Sequence, residues 1–568
     1  MNMQGKARKE NTYDAIVVGS GISGGWAAKE LTQKGLKVLL LERGRDVKHV
    51  TDYPTAQTPT WELKHRGRVT PFDREHYALQ GRNYNVNESN RHFYVDEKDH
   101  PYVQTKNDLF TWVRGYQVGG RSLTWGRHCY RFSDLDFAAN AKEGVAIDWP
   151  IRYKDLAPWY SYVEKFTGIS GSRENLPQLP DSEFLPPMKL NCLEAHFKEK
   201  VTGHFRNRHV IPGRVANLTT PIEGRGVCQY RNLCDRGCPY GGYFSSNAAT
   251  LPVAFQTGNL TLKPNSVVLK VLHDEGKGKA SGVEVLDTET GKTITYHARV
   301  IFLNASTIAT TLIMLQSVSN RFPGGLGNDS GELGHNLMTH PKTGAGGVFE
   351  GMTDKYYYGR KANGLYIPRF RNVDDKHPDY LRGFNYQGGA SRGRRNPADF
   401  EGPGLGAQFK EFVAQPGAWS IGLSGFGEQL PYHDNQVRVS KTVKDVHGLP
   451  VAEIDFEWKD NELKMAKDMV ASAREMLEAA GCTDVSEHYG IKAPLRTTAH
   501  EMGTARMGRD PKTSVLNPHN QVWGCPNVYV TDGACMTSNS CVNPSLTYMA
   551  LTARACDHAV GQMKQQVI

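Results

Sequence analysis

Cys228, Cys234 and Cys238 fall within eleven residues, in the run Cys228-Gln-Tyr-Arg-Asn-Leu-Cys234-Asp-Arg-Gly-Cys238-Pro239. Thiolates gather at such spacing to pair as disulfides, to bind zinc or to ligate iron–sulfur. The C-x5-C-x3-C-P pattern is neither the C-x2-C pair of a zinc ribbon nor the tight repeat of a bacterial ferredoxin. Its three ligands suit a three-iron cluster better than a cubane held by four cysteines. Zinc completed by a remote histidine stays open on the residues alone. A second motif, Gly19-Ser-Gly21-Ile-Ser23-Gly24, has the spacing that cradles a pyrophosphate. Together the two predict redox chemistry with two centres, one taking electrons in pairs and one releasing them singly.

The glycines need a strand before them and a helix after them. Asp14-Ala-Ile-Val-Val-Gly19 is a short apolar, β-branched run that reads as a buried parallel strand, and Gly25-Trp-Ala-Ala-Lys-Glu-Leu-Thr continues as a helix. A second strand, Lys37-Val-Leu-Leu-Leu-Glu42, ends in an acid followed by Arg43. Gly19 makes the turn, Gly21 lets backbone N–H groups approach the phosphates, and Gly24 allows close helix–strand packing. Ser23 belongs to the same glycine motif around the cofactor, and the helix N-terminus that follows faces the phosphates with its partial positive charge. Glu42 stands where an acid accepts hydrogen bonds from ribose hydroxyls. The near-terminal position and the Leu-Glu-Arg-Gly ending of the second strand lean toward FAD over NAD.

At 568 residues the chain calls for two or three domains, and 22% charged with 39% hydrophobic residues is normal for a globular enzyme. The net charge of +9 is spread without a long Lys/Arg block, which argues against nucleic-acid binding and suits an acidic redox partner. Nothing reaches the ~18–20 apolar residues of a membrane span. The opening residues carry no apolar export core, so a cytoplasmic location is the default. Outside the run of three, most of the ten cysteines read as small buried apolar side chains.

Two distant segments resemble the glucose–methanol–choline (GMC) oxidoreductases, flavoenzymes that oxidise alcohols. One is Arg114-Gly-Tyr-Gln-Val-Gly119-Gly120-Arg-Ser122-Leu-Thr-Trp125-Gly126. The other runs from His500-Glu-Met-Gly503-Thr504 through Val530-Thr-Asp532-Gly533 to Val542-Asn543-Pro544. Val300-Ile-Phe-Leu-Asn-Ala305-Ser306 looks like that family's later FAD-domain strand, and Val268 matches its adenine-side strand. The resemblance implies that Gly119, Gly120, Ser122, Trp125, Val268, Ala305, Asp532, Gly533, Asn543 and Pro544 join the glycine motif around FAD. It implies His500 as the base that takes the hydroxyl proton and Asn543 as the group that orients the hydroxyl. From the residues themselves, Asn543-Pro544 reads as an N-cap followed by the first helical position, with Leu546, Met549, Ala550 and Ala553 at helical spacing. Ser122-Leu-Thr124-Trp125 lacks the histidine that pyranose-oxidase relatives bond to the flavin, so the FAD is expected to be non-covalent; His128 is displaced. His340 reads as structural.

Within the family the cysteine run looks like that of bacterial FAD/[3Fe-4S] sugar dehydrogenases, best the catalytic subunit of the glucoside 3-dehydrogenase type, with gluconate 2-dehydrogenase flavoproteins close behind. The resemblance implies oxidation of a secondary hydroxyl of glucose or a glucoside, C3, to a ketone, with electrons passing through the cluster to a cytochrome c acceptor. It also implies a small subunit carrying the export signal, periplasmic co-export and membrane contact only through partner subunits. The alternatives are a gluconate 2-dehydrogenase or glucose 1-dehydrogenase flavoprotein subunit, or an oxygen-using sugar oxidase.

The expected fold class is α/β, α+β overall: a discontinuous Rossmann-like FAD domain with an antiparallel-sheet substrate domain. The FAD parts are 10–50, 105–150, 240–335 and 495–568; 51–104 is an aperiodic lid or excursion; 151–239 and 336–494 form the substrate domain, with the cluster insertion at about 225–242. Asn461 to Gly481 is a helix with the stripe Leu463, Ala466, Met469, Val470, Ala473, Met476 and Leu477. Gly388–Arg395 reads as a solvated basic turn, with a mobile loop as the alternative.

Overall fold

The computed structural model describes residues 11–83, 85–106, 110–352, 354, 364–488 and 497–568. The expected boundaries at residues 10 and 494–495 lie outside these. Strand Thr12–Val18 pairs in parallel with Val38–Leu41 on one side and Thr293–Leu303 on the other, with Ala15 opposite Val38 and Val300. Parallel partners extend the sheet through Leu260–Lys263 and Cys525–Val530. An antiparallel meander, Ser266–Asp274 with Lys279–Asp287, joins it at Thr293–Leu303. Flanked on both edges and covered on both faces, Ala15 to Val18 are buried, which is why that run is apolar without alternation. Helix Ile22–Gln33 buries Ala27, Ala28 and Leu31 against Ala555, Cys556 and Ala559 of helix Ser545–Lys564.

A second, six-stranded sheet runs in the order Thr483–His488, Lys342–Phe349, Pro416–Gly427, Phe384–Arg394, Leu365–Ile367, Ile211–Pro212. Its pairings are antiparallel. Period-2 alternation sends Phe384, Tyr386, Ala390, Trp419, Ile421 and Leu423 to one face, where they pack on Met465, Met469, Met476 and Leu477 of helix Asp460–Ala479. Each of the larger side chains, Phe384, Ile421, Leu423 and the methionines among them, is worth about 1.5–3 kcal/mol when removed from water. The opposite face looks toward the first sheet. The mixed architecture is the expected α/β class with an antiparallel second layer.

Several local expectations need correction. Leu463 is 36% exposed and stands off the helical stripe, which Met465 completes. Gly388–Arg395 is neither turn nor loop: up to Arg394 it lies in strand Phe384–Arg394, paired with Pro416–Gly427. Glycine is required there because a Cβ on Gly388 would sit 2.6 Å from the Gly422 carbonyl oxygen. The run beginning Gln436-Val-Arg-Val, within the 336–494 span expected to join the antiparallel substrate sheet, belongs to a separate small sheet with Pro450–Asp455 and Val103–Gln104. Helix Tyr153–Thr167, expected with the substrate sheet, packs on the first layer instead. Phe166 lies 5.0 Å from Trp26 between ring centroids, and the Tyr160 hydroxyl is 2.8 Å from Thr547 Oγ1. Among the described residues no helix is long and apolar enough to cross a membrane, and all ten cysteines are free thiols.

Candidate active site

The carboxyl ends of the first sheet's parallel strands open into one long cleft. Gly19, Gly21, Ser23, Glu42, Arg43, Gly120, Ser122, Trp125, Val268, Ala305, Asp532, Gly533, Asn543 and His500 all line it. Gly24, Gly119 and Pro544 do not; two of these shape it from behind. A Cβ on Gly24 would approach the Gly19 carbonyl oxygen to 1.8 Å, and Gly119, at φ +92°, donates its N–H to Ser20 Oγ at 2.9 Å.

The helix at the cleft's centre starts with Gly21 and has no side-chain cap, and nothing lies within 4 Å of where a Gly21 Cβ would point. Its first N–H groups are therefore open to an anion, as a pyrophosphate needs. Glu42 closes one end. Its carboxylate accepts from the Ser20 N–H at 3.1 Å, Ser20 Oγ at 2.6 Å and the Gly44 N–H at 3.0 Å, while burial raises its pKa. Asp532, fully buried, accepts from Thr310 Oγ1 at 2.6 Å and the Ala534 N–H at 3.0 Å, and burial pushes it up to about 6. An uncapped helix start, an acid at the second strand's end and an elongated wall of backbone fit FAD.

His500 and Asn543 stand at the far end. Arg121 holds the segment carrying His500: it pairs with Glu501 Oε2 at 2.7 Å and donates to the Ala499 carbonyl at 3.2 Å. The His500 ring meets His340 edge-on at 5.0 Å and Phe426 at 6.3 Å between centroids. Burial, with repulsion from the Arg121 and Lys342 cations and from His340 and His128 were they protonated, drives its pKa well below 6.5. The imidazole is thus neutral at pH 7 and free to accept a proton. His340 Nδ1 is 2.9 Å from the Gly427 carbonyl, which fixes that nitrogen as the N–H; burial lowers this histidine to about 4.

Asn543 is not the helix cap that its neighbour Pro544 implies. The helix begins at Ser545 with Pro544 in the cap place and no side-chain cap bond. The Asn543 side chain turns away and its Oδ1 accepts from Gln387 Nε2 at 2.6 Å. Gln387 and Phe426 were not legible as site residues in the sequence, since strands far along the chain deliver them. The polar–apolar alternation of Asn385-Tyr386-Gln387 is the signal that marks a face.

Cys228, Cys234 and Cys238 are half-buried, with Cys234 in a short 3-10 turn. Burial raises the Cys234 thiol; Arg127 lowers it, and Cys228 and Cys238 raise it, so the three sulfurs share one neighbourhood. Among the described residues, however, no three His, Cys, Asp or Glu stand close enough to hold a metal ion. The thiols fit a cluster in donor type and not in separation. After Cys238 the chain returns to the cleft wall, where the Trp125 indole donates to the Phe244 carbonyl at 2.9 Å.

Comparison with known proteins agrees with this geometry. Two family models, both described as GMC oxidoreductase, match residues 13–342 and 431–552. The chain is similar to a 2-methyl-1,2-propanediol dehydrogenase of Mycolicibacterium austroafricanum, 29% identical over 96% of this chain and 94% of the relative. It is also similar to the fructose dehydrogenase large subunit of Gluconobacter japonicus, at 25% over 97% and 98%. A gluconate 2-dehydrogenase flavoprotein of Pantoea cypripedii is 27% identical over 96% and 93%. In fold it is similar to a pyridoxine 4-oxidase crystal structure attributed to Mesorbium loti, with a TM-score of 0.61 at 16% identity over 96% and 99% of the two chains. The chain belongs to the GMC oxidoreductase family, FAD enzymes acting on the CH–OH group of alcohols and sugars.

Proposed function

We propose that this chain is the catalytic subunit of a sugar dehydrogenase that oxidises a secondary hydroxyl, C3 of glucose or a glucoside, to a ketone. The observation that carries the reading is a neutral, half-buried His500 in the same cleft as Asn543 and the nucleotide motif. His500 accepts the hydroxyl proton at its unprotonated ring nitrogen. Asn543 donates from Nδ2 to the hydroxyl oxygen, because its Oδ1 is already engaged by Gln387. FAD, when bound, supplies the acceptor for the hydride. Gly19 to Gly24, Glu42 and Asp532 hold and orient it. Anaerobic turnover of methyl glucoside, with the product identified by NMR, tests the regiochemistry: a 3-keto glycoside is expected, and turnover of free glucose alone, giving the lactone, refutes it. The gluconate relative supports a second reading, oxidation of gluconate at C2.

The electron acceptor we propose, on the resemblance of the cysteine run, is a cytochrome c; that it is carried by a partner subunit is supported by the Gluconobacter relative's being named a large subunit. Reduction of cytochrome c without peroxide formation is expected; stoichiometric peroxide would make the protein an oxidase. On its sequence pattern, the Cys228–Cys238 run is the proposed seat of a [3Fe-4S] cluster. Support from the fold is limited to three neighbouring thiols, which the loop would have to draw together. Three irons with acid-labile sulfide per chain, lost in Cys234→Ser, are expected; zinc or no metal refutes the assignment. Periplasmic co-export with a small subunit is part of the same proposal, on the resemblance of the cysteine run, and fractionation of cells with and without that subunit tests it against a cytoplasmic location.

A further inference from the structure

We infer that Gln387 is a positioning residue that sets which end of the Asn543 amide faces the substrate. The inference rests on the proposed role of Asn543 at the reacting oxygen. Strand Phe384–Arg394 buries Phe384 and Tyr386 against the helix behind it, so Asn385 and Gln387 share the opposite face. Both reach the turn that carries Asn543. Asn385 Nδ2 donates to the Cys541 carbonyl, and Gln387 Nε2 donates to Asn543 Oδ1 at 2.6 Å. One fixes the backbone of the turn; the other fixes the amide.

The distinction matters chemically because the two ends of an amide have nearly the same shape and opposite hydrogen-bonding character. With Oδ1 held by Gln387, Nδ2 is the end left for the alcohol oxygen. A donor there stabilises the negative charge that develops as the proton leaves, and the hydroxyl hydrogen is left to point at His500. With the amide reversed, Oδ1 would accept that hydrogen and hold it away from the base. The same carbon and oxygen would be in place with the proton aimed wrongly.

Gln387→Glu inverts the constraint at nearly constant size. Its carboxylate can only accept, so it binds Asn543 Nδ2 and presents Oδ1 outward; once protonated, it can donate again. Flavin bleaching of the holoenzyme is followed anaerobically with D-glucose, methyl glucoside, D-fructose or D-gluconate, whichever reduces the wild type fastest. The expected result is a reduction rate about 10- to 100-fold below wild type at pH 8, with KM little changed and the deficit closing toward pH 5. His500, His340, His128, Lys342 and Arg121 also face this end of the cleft, so each rate is taken as a ratio to wild type at the same pH, and the flavin-reduction pH profile of each variant is fitted for its own histidine limb before the ratios are compared. Gln387→Met, which cannot hold the amide either way, is expected to lose an intermediate amount at every pH while keeping FAD; if the glutamate variant does not fold, this variant alone decides. Wild-type rates in either variant, or an equal deficit for Gln387→Glu at pH 8 and pH 5, overturn the inference. Asn543→Ala is measured alongside. If it reduces flavin at the wild-type rate, the role of Asn543 falls and takes the inference with it. If it is slow while Gln387→Glu is normal, only the role of Gln387 falls.

Discussion

Replacing His340 by Gln should remove a defined part of the protein's acid sensitivity. His340 is 4% exposed, and burial lowers its pKa to about 4. In the unfolded chain a histidine takes up a proton near pH 6.5. The native state must therefore keep the imidazole neutral where the unfolded state charges it. Stability from this residue is intact above pH 6.5 and is lost as pH falls through the window down to about 4. Between pH 7 and pH 5 the loss is about 2 kcal/mol, at roughly 1.4 kcal/mol per pH unit over the titrating part of that range. A glutamine amide does not titrate there and retains a donor for the Gly427 carbonyl. Urea unfolding of the FAD-loaded wild type and His340→Gln at both pH values gives a double difference in which the lost packing and the histidines remote from His340 cancel; the same measurement on His500→Gln and the double variant separates out the neighbouring His500. A variant that is weaker at pH 7 but loses about 2 kcal/mol less on going to pH 5 is expected. Equal acid losses in the two proteins would refute the linkage argument.

Other outcomes follow from the same geometry. His500→Ala should slow sugar-driven flavin reduction by about 100- to 10,000-fold with FAD content unchanged, read by stopped-flow absorbance. Because burial holds His500 well below 6.5, the acid limb of wild-type flavin reduction should fall below pH 6.5; a limb centred at 7 or above contradicts the assignment. Gly24→Ala forces a Cβ to within 1.8 Å of the Gly19 carbonyl oxygen, so the purified variant should carry little flavin by absorbance. Acid precipitation should release the yellow chromophore into the supernatant, and colour kept in the pellet would show a covalent link.

Signals confined to a few neighbouring residues were legible before any coordinates. Ala15–Val18, the glycine turn and the acid after Val38–Leu41 announce themselves because strand, turn and helix follow at once, each with its own periodicity. Helix Asp460–Ala479 was visible for the same reason, and only Leu463, on the edge of the stripe, was misplaced. Asn543-Pro544 shows where local chemistry misleads. An asparagine before a proline is a good helix start in isolation, yet a glutamine about 150 residues earlier offers its side chain a partner the helix does not. The glycines of the Gly388–Arg395 tract imitate a turn because the reason for them, the carbonyl of Gly422 on the adjacent strand, is invisible along the chain. Likewise, the cysteine run gives ligand type and order, while the separation of three sulfurs depends on how the loop is held.

The turn carrying Asn543 belongs to the helix that closes the cofactor layer, while the amides that grip it belong to the antiparallel sheet. Arg382, in the bend just before strand Phe384–Arg394, adds a second strap, reaching Asn140 Oδ1 at 2.6 Å and Glu143 Oε2 at 2.6 Å from a fully enclosed position. Swinging the layers apart to admit a sugar would break these bonds and pull the enclosed guanidinium, still paired with Glu428 at 3.0 Å, off its second carboxylate, and losing a partner from a buried ion pair costs several kcal/mol. A bivalve-like opening is therefore the expensive way in, and traffic to and from the flavin should pass through local movement at the rim of a body that stays shut.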